Sequence, residues 1–451
     1  MMGLDIPRET ALKIIYDINE KGAYSNIALN KHMASADLKG VDRAFITEIV
    51  YGVTKYKLTL DWFIEQFSSI KLKKISPWVL NILRLGAYQI MFMDKVPDSA
   101  ACNESVNLSK KYGHQASSRF VNGVLRSLSR NRDSIKYPDS QKDTVRYLSV
   151  RYSHPEWMVK EWLSRFGKEF TEALLESNNK IPELTVRVNT LKTTKDQLVE
   201  QLKNSGLDIK PGLYSDEALI IKGSSNIAGL EAFKNGMLQV QGESSMLAGI
   251  ILDPKPGERI IDVCSAPGGK ATHLAQLMKD NGTVIARDVH EHKIKLIEEA
   301  AKRLGTNIVK AEMYDATMLD DNYTGKADRV LADVPCTGFG IISKKPDIKW
   351  SRAEGDKKEI LSLQKKILDT SSSYVKPGGT LLYSTCTIEE DENSGMVKCF
   401  LESHKDFVMD DISDILPARL RKTDNEKGML QLYPNIDGID GFFIAKMRRL
   451  L

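Results

Sequence analysis

The 451-residue sequence is poor in cysteine and contains no long apolar segment. Its five cysteines form no C-x-x-C pair and no His/Cys cluster at zinc spacing, which argues against a disulfide scaffold and a zinc ribbon. No run approaches the roughly 20 apolar residues that a membrane-spanning helix needs. The first residues interrupt their apolar positions with charges and lack a secretory segment. These absences predict a cytoplasmic protein without a metal centre or a membrane anchor.

Charge is nearly balanced over the whole chain but not along it. Lysine and arginine number 64 against 60 aspartate and glutamate, a formal net charge of +4. The basic excess is concentrated in the first 140 residues. An ordinary solvated helical surface and a face that binds a polyanion both account for it, so this feature alone leaves the partner open.

Periodicity divides the chain into three regions. Apolar residues recur at helical spacing through residues 1–130, as in ETALKIIYDI and PWVLNILRLGAYQIMF, which predicts an all-α bundle in a first domain of residues 1–140. A polar segment at 129–143 is the predicted linker, and residues 141–234 read as this linker region followed by a small α+β subdomain. From 235 to 451, short apolar runs alternate with helical patterns, which predicts parallel strands in a doubly wound α/β domain: RIIDVC, TVIARD, IVKAE, DRVLAD, TLLYST and FFIAKM.

The first chemistry-bearing segment is DVCSAPGGK, from Asp262 to Lys270, between a predicted strand and a helix. Its glycines let the backbone approach a ligand closely, and the free N–H groups of the following helix favour an anionic group. The segment matches neither G-x-G-x-x-G nor the phosphate loop of ATPases, which argues against nicotinamide and ATP chemistry. It predicts a loop for a different nucleotide-type cofactor.

Aspartates follow four successive predicted strands, at positions 262, 288, 315 and 333. The carboxyl ends of parallel strands meet at one edge of a sheet, so these side chains are expected around one crevice. Asp288 is placed to accept hydrogen bonds from ribose hydroxyls. The repetition of the pattern, rather than any single aspartate, indicates a site.

Two cysteines stand at strand ends on the same predicted edge. Cys336 lies in DVPCTG and Cys386 in YSTCT. A lone cysteine is usually a buried small apolar residue, and this structural role is expected for Cys102, Cys264 and Cys399. A thiolate beside a cofactor loop instead suits covalent catalysis when nearby charge lowers its pKa. The residues themselves do not decide which of the two thiols is the nucleophile.

Taken in order, DVCSAPGGK, DVPCTG and YSTCT resemble the signatures of S-adenosylmethionine-dependent RNA cytosine-5 methyltransferases. The helical front, with DRAFITEIVYGVTK and RFVNGVLR, is similar to the domain of the antitermination factor NusB. This combination resembles the RsmB (Fmu/Sun) family, which methylates 16S rRNA. The resemblance implies a NusB-like bundle, a small α+β subdomain and a Rossmann-like methyltransferase domain. It also implies that C5 of one cytosine, at position 967 of 16S rRNA, is methylated through a covalent cysteine–C6 adduct.

The resemblance also implies roles for individual residues. Cys386 is the expected nucleophile and Cys336 the group that assists product release. Asp333 is expected at the N3/N4 edge of the cytosine, and Lys270 is expected to support the site electrostatically. The residues expected to bind S-adenosylmethionine are Cys264, Ser265, Ala266, Pro267, Gly268, Gly269, Lys270, Asp288, Asp315 and Asp333. No metal is expected.

The expected partner is 16S rRNA or an assembly intermediate of the small ribosomal subunit, with a monomer as the default state. An unpaired cytosine is favoured because a duplex hides its C5 and C6. Lysines of the helical front are candidate phosphate contacts: Lys71, Lys73, Lys74, Lys110 and Lys111. Three alternatives stay open: the same chemistry on tRNA or another RNA, a non-catalytic rRNA-binding or assembly protein, and methylation of a protein or small molecule.

Overall fold

A computed structural model of the chain describes residues 5–34, 38–223, 227–352, 354–421 and 428–451. The chain forms two units, one of Met1–Lys180 with Ile342–Arg352, and one of Ile181–Ile341 with Ala353–Leu451. Within the described ranges, no helix combines the length and the apolar character needed to cross a membrane.

The first unit is helical, as predicted. Helix α1 shows how its elements are bounded: the Asp5 side chain accepts the backbone N–H of Arg8 at the start, and Gly22, in the left-handed region, ends the helix. Pro77 begins α5, where its missing N–H costs nothing. Helices α1 to α10 are Ile6–Lys21, Ser25–Ala34, Gly40–Lys55, Lys57–Phe67, Pro77–Phe92, Asp98–Tyr112, Gln115–Arg130, Thr144–Tyr152, Glu156–Phe166 and Lys168–Asn179.

The segment predicted as a linker, 129–143, joins α7 to α8 inside this unit. Ile135 and Tyr137 pack against the core of the bundle, and the ring of Tyr137 meets that of Phe63 edge-on at 5.9 Å. Two apolar side chains therefore hold a polar segment to the bundle. Helices α8 to α10 also belong to this unit, which runs to Lys180, whereas the sequence places its first boundary at 140.

The second unit begins with a small α+β region. Its antiparallel sheet has the strand order β2-β3-β1-β4, with Val186 of β1 opposite Leu219 of β3 and Val240 of β4. The buried side chains of Val186, Leu198 and Leu219 belong to its core. The elements are β1 Leu184–Val188, α11 Lys195–Asn204, β2 Asp208–Pro211, β3 Ala218–Lys222, α12 Glu231–Lys234 and β4 Leu238–Val240.

The rest of this unit is the predicted α/β domain. Its elements are α13 Glu243–Leu252, β5 Arg259–Asp262, α14 Gly269–Leu277, β6 Thr283–Asp288, α15 Glu291–Leu304, β7 Val309–Met313, β8 Ala327–Asp333, α16 Ile348–Ser351, α17 Lys357–Tyr374, β9 Val375–Thr385, α18 Ser394–Ser403, β10 Phe407–Met409, β11 Met429–Leu432, α19 Pro434–Asp437 and β12 Phe442–Arg449. Of these, α16 belongs to the helical unit.

The large sheet has the order β10-β12-β9-β8-β5-β6-β7, and β11 pairs with β12. Strands β5 to β9 are parallel, as predicted. The predicted strand FFIAKM forms as β12, but the prediction that it runs parallel was wrong, since it pairs antiparallel with β9 and β11. Only short α19 joins β11 to β12, and so short a connection suits antiparallel neighbours, because parallel ones need a long crossover.

The strand order reverses at β5, which pairs with β6 on one side and β8 on the other. In open α/β sheets, the crevice at such a reversal lies beyond the carboxyl ends of the strands and is where ligands bind. Asp262 ends β5 and Asp333 ends β8, so both stand at this crevice.

Helix α16 brings a buried lysine into the helical unit. Lys349 is fully buried and its Nζ donates to the carbonyls of Lys55 and Ser153, each at 2.8 Å. Those carbonyls lie at the C-terminal ends of α3 and α8, where backbone acceptors have no partner within the helix. The indole of Trp350 donates to the carbonyl of Thr54 at 2.7 Å, again at the end of α3. Residues of α16 thus cap two helices of this unit.

Candidate active site

The loop between β5 and α14 contains the residues predicted to bind the cofactor. Gly268 adopts φ 95°, a left-handed conformation that other residues rarely adopt, and α14 begins at Gly269. A Cβ added to Gly269 would have only Gln241, at 4.0 Å, within contact range. Ser265 N–H donates to the carbonyl of Arg287 at 2.7 Å, which ties the loop to β6. The predicted glycines therefore turn the chain tightly and leave open space at the start of a helix.

Arg187 of β1 holds this loop by a hydrogen bond, a role that the sequence did not predict. Its fully buried guanidinium donates to the carbonyl of Gly269 at 2.8 Å and to the side chain of Gln276 at 3.1 Å. It also donates to Gln241. Burial lowers the pKa of Arg187 to about 9. The arginine stands in the strand segment LTVRVN, whose local pattern gives no sign of this role.

Three acids lie where strand ends were predicted to place them. Asp288 ends β6, is nearly buried and pairs with Lys293 at 3.3 Å. Asp315 follows β7, is exposed and accepts the backbone N–H of Thr317 at 2.9 Å. Asp262 is fully buried, and burial, followed by the charge of Asp333, raises its pKa to about 7.

Polar atoms of this region are left without partners. Among the residues that the structure describes, neither carboxylate oxygen of Asp262 meets a hydrogen-bond donor, and the buried hydroxyl of Ser265 meets no partner. Unsatisfied buried polar groups are costly and indicate a ligand or a functional role. Together with the open space at Gly269 and the acceptors Asp288 and Asp315, they fit a cofactor that has ribose hydroxyls and a positive charge, as S-adenosylmethionine does.

Lys270 and Asp333 form an ion pair at the crevice. Lys270 Nζ lies 2.6 Å from Asp333 Oδ2, and the hydroxyl of Ser384 donates to Asp333 Oδ1 at 2.8 Å. Ser384 is the direct neighbour of Asp333 across β8 and β9. Burial opposes the charge on Lys270, but the Asp333 carboxylate outweighs it and the pKa of Lys270 is raised. Lys270 therefore keeps its positive charge.

The two predicted thiols meet. Cys336 follows β8, Cys386 follows β9, and their sulfur atoms are 3.2 Å apart. The hydrogen bond with Cys386 and burial raise the pKa of Cys336 well above its ordinary value, and the charges of Cys386 and Glu392 add to this. A negative charge on Cys386 is also among the causes that raise the pKa of Lys270. Ionisation of Cys336 is therefore opposed, and a negative charge on Cys386 would interact favourably with Lys270.

The other cysteines lack this environment. Burial raises the pKa of Cys264 well above its ordinary value, and the carboxylate of Asp262 adds to the effect. Cys102 is buried in the helical core. Cys399, expected to be a buried structural residue, is instead exposed on α18. An exposed position on the helix leaves it without the apolar surroundings that the expectation assumed.

Three family models match successive parts of the chain. Residues 249–448 match the family model "16S rRNA methyltransferase RsmB/F", residues 5–130 match the NusB family, and residues 154–228 match the ferredoxin-like domain of RsmF/B-like methyltransferases. The "probable ribosomal RNA small subunit methyltransferase B" of Bacillus subtilis is 40% identical, and the match covers 98% of each chain. The corresponding protein of Shewanella oneidensis is 30% identical, again over 98% of each chain.

Two solved structures are also similar to this chain. The crystal structure of PH0851 superimposes with a TM-score of 0.81 and 29% identity, and the match covers 99% of this chain and 100% of that one. The crystal structure of NSun6 from Pyrococcus horikoshii with SFG, an analogue of S-adenosylmethionine, has a TM-score of 0.59 and 24% identity. That match covers 66% of this chain and 98% of the other, and it shows a common fold.

Proposed function

Since this chain belongs to the RsmB/F family of 16S rRNA methyltransferases, we propose that it methylates C5 of a cytosine in 16S rRNA through a covalent cysteine adduct. The chain is an S-adenosylmethionine-dependent rRNA methyltransferase. The finer proposal includes the nucleotide, the cytosine at position 967. The observation that carries it is the pair of thiols, 3.2 Å apart, at the ends of neighbouring strands beside an ion-paired lysine.

The cofactor-binding residues are proposed from their places at the crevice. The loop from Cys264 to Lys270 would hold the methionine part, Asp288 the ribose and Asp315 the adenine side, with Asp333 close to both ligands. S-adenosylmethionine supplies an electrophilic methyl group. No metal takes part in this proposal.

The first step requires a nucleophile, because C5 of cytosine is itself a poor one. The thiolate of Cys386 attacks C6, an S–C6 bond forms, and the electron pair of the C5=C6 bond moves towards C5. The Asp333 carboxylate accepts a hydrogen bond from the N4 amino group and orients the base. The Lys270 ammonium stabilises the negative charge that develops on the ring.

Release requires the reverse movement of electrons. After C5 has gained its methyl group, a base removes the C5 proton, the C5=C6 bond forms again, and Cys386 leaves as a thiolate. Cys336 is the proposed base. Once Cys386 is bonded to C6, its negative charge no longer opposes ionisation of Cys336, so the order of the two steps follows from the contact between the thiols.

The remaining regions are proposed to position RNA. These are residues 1–140, a NusB-like RNA-binding domain, and residues 141–234, the linker and small α+β subdomain. Residues 235–451 are the proposed catalytic domain. Lys71, Lys73 and Lys74 are exposed and suited to phosphate contacts. The proposed setting is the cytoplasm, where a monomer acts on 16S rRNA or on an assembling small subunit.

Methyl transfer from labelled S-adenosylmethionine tests this function. Deproteinised 16S rRNA, bulk tRNA and small-subunit assembly intermediates serve as separate substrates, and bisulfite sequencing maps 5-methylcytosine. We expect one labelled cytosine in 16S rRNA, free or assembling. Label in tRNA alone, or label that is not 5-methylcytosine, would overturn the proposal.

A further inference from the structure

The buried carboxylate of Glu392 is bonded to the loop that carries one of the two thiols. One of its oxygens accepts the backbone N–H of Thr337 at 3.0 Å, and the other accepts the Thr337 hydroxyl at 2.5 Å. Glu392 is fully buried. Because Thr337 directly follows Cys336, this carboxylate fixes the backbone on one side of the thiol.

Gln364 of α17 fixes the backbone on the other side. Its side-chain amide donates to Glu392 at 2.8 Å and to the carbonyl of Pro335 at 2.9 Å. The residues before and after Cys336 are thus held by one buried pair, Glu392 and Gln364. The hydroxyl of Tyr383 donates to the backbone carbonyl of Glu392 at 2.7 Å and holds the glutamate in turn.

The charges around the two thiols differ in sign. Among the groups that act on Cys336 are Cys386 and the carboxylate of Glu392, and the Tyr383 hydroxyl lies in the same cluster. Lys270, paired with Asp333, acts on Cys386. A negative charge is therefore opposed at one sulfur and supported at the other.

We propose that Glu392 is a positioning residue that gives the two thiols different protonation states. It fixes the Cys336 loop through Thr337 and opposes a negative charge on Cys336, so the first thiolate of the pair forms on Cys386. The inference adds a residue to the covalent mechanism proposed above, and its relevance to catalysis rests on that mechanism.

Glu392→Gln removes the charge and can keep the contacts. Its amide oxygen would accept from Thr337 N–H and Gln364, and its amide nitrogen would donate to the Thr337 hydroxyl. That hydroxyl can in turn donate to Thr387, whose hydroxyl oxygen lies 2.7 Å away. A change in thiol chemistry in this variant would report charge rather than a displaced loop.

The test measures alkylation of Cys336 by iodoacetamide against pH in full-length protein that carries Cys386→Ala, with mass spectrometry of the Cys336 peptide. Adding Glu392→Gln should lower the midpoint by about one pH unit, which makes alkylation about tenfold faster below the midpoint. The matched control is Glu389→Gln, since Glu389 is also buried but pairs with Lys357 at 3.4 Å. We expect this control to leave the midpoint unchanged.

An unchanged midpoint in Glu392→Gln, or an equal shift in Glu389→Gln, would overturn the inference. Should Glu392→Gln fail to fold, Cys386→Ala alone can still contradict the inference. Its Cys336 midpoint must lie above about 8.5, the value of a free thiol, and a midpoint at or below that value contradicts the inference. The assay contains neither RNA nor cofactor, so a failure of rRNA methylation would overturn the proposed function and leave this result standing.

Discussion

Lys349 in the helical unit and Lys270 in the α/β domain are both largely withdrawn from water, yet their surroundings differ. Lys349 faces two backbone carbonyls, and burial, followed by the charge of Lys55, lowers its pKa well below the ordinary value. Lys270 faces a carboxylate, and its pKa is raised despite burial. A lysine held by the ends of helices serves the fold, whereas a lysine that keeps its charge beside a thiol is equipped for chemistry.

Two cysteines, Cys102 and Cys386, show the same difference between a structural residue and a residue equipped for chemistry. Cys102 packs in the helical core, while Cys386 touches a second thiol at the crevice. Cys386→Ala should lower methyl transfer at least about 10⁴-fold, as loss of a nucleophile does. Cys102→Ala should change stability but alter activity per folded molecule less than about twofold. Steady-state assays corrected for the folded fraction check both, and comparable losses of activity would remove the distinction between the two cysteines.

Replacing each of the two lysines by methionine should lower activity in one case and stability in the other. Lys270→Met should lower kcat about 10²- to 10³-fold, since it removes a charge that stabilises the reacting ring. Lys349→Met should leave activity per folded molecule intact and lower the free energy of unfolding by about 1–3 kcal/mol, because two buried carbonyls lose their donor. Kinetics and urea unfolding of both variants test this, and the opposite pattern would show that the assignment of roles is reversed.

Buried lysines of the helical unit should also give stability a pH dependence. Burial lowers the pKa of Lys55 to about 8 from 10.5. Between those values the unfolded chain binds more protons than the folded one, so the contribution of Lys55 to stability rises with pH. The difference in unfolding free energy between the native chain and Lys55→Met should grow by about 2 kcal/mol from pH 8 to pH 10. A difference that stays flat over this range would mean that Lys55 is not desolvated.

The smallest expected effect concerns the exposed lysines of the helical unit. Replacing Lys71, Lys73 and Lys74 by glutamine should weaken 16S rRNA binding about fivefold at low salt and reduce the salt dependence of binding. The melting temperature should not change, because these side chains are exposed. Filter binding at several salt concentrations measures the effect. Equal affinity at every salt concentration would show that this surface is only solvated.

Local sequence patterns predicted much of this arrangement. The helical front, the parallel strands and the meeting of Cys336 with Cys386 all follow from periodicity and from the rule that parallel strands end at one edge. Direction is not encoded in an apolar run, which is why β12 was expected to be parallel. Its antiparallel course depends on pairing with β9 and β11.

Contacts between distant positions could not be predicted in this way. Arg187 binds the carbonyl of Gly269, 82 residues later, and Glu392 binds Thr337, 55 residues earlier. Each residue looks ordinary in its own segment, an arginine in a strand and a glutamate in an acidic run. Their roles arise only when the fold brings a buried charge next to a loop.

The covalent mechanism is tested most directly by trapping the adduct. Cys336→Ala, incubated with 16S rRNA and labelled S-adenosylmethionine, should accumulate a protein–RNA complex that survives a denaturing gel, because the nucleophile Cys386 is present and release is impaired. The double variant Cys336→Ala/Cys386→Ala should give none. A complex formed by Cys386→Ala, or none from Cys336→Ala under conditions where the native chain methylates rRNA, would contradict the roles assigned to the two thiols.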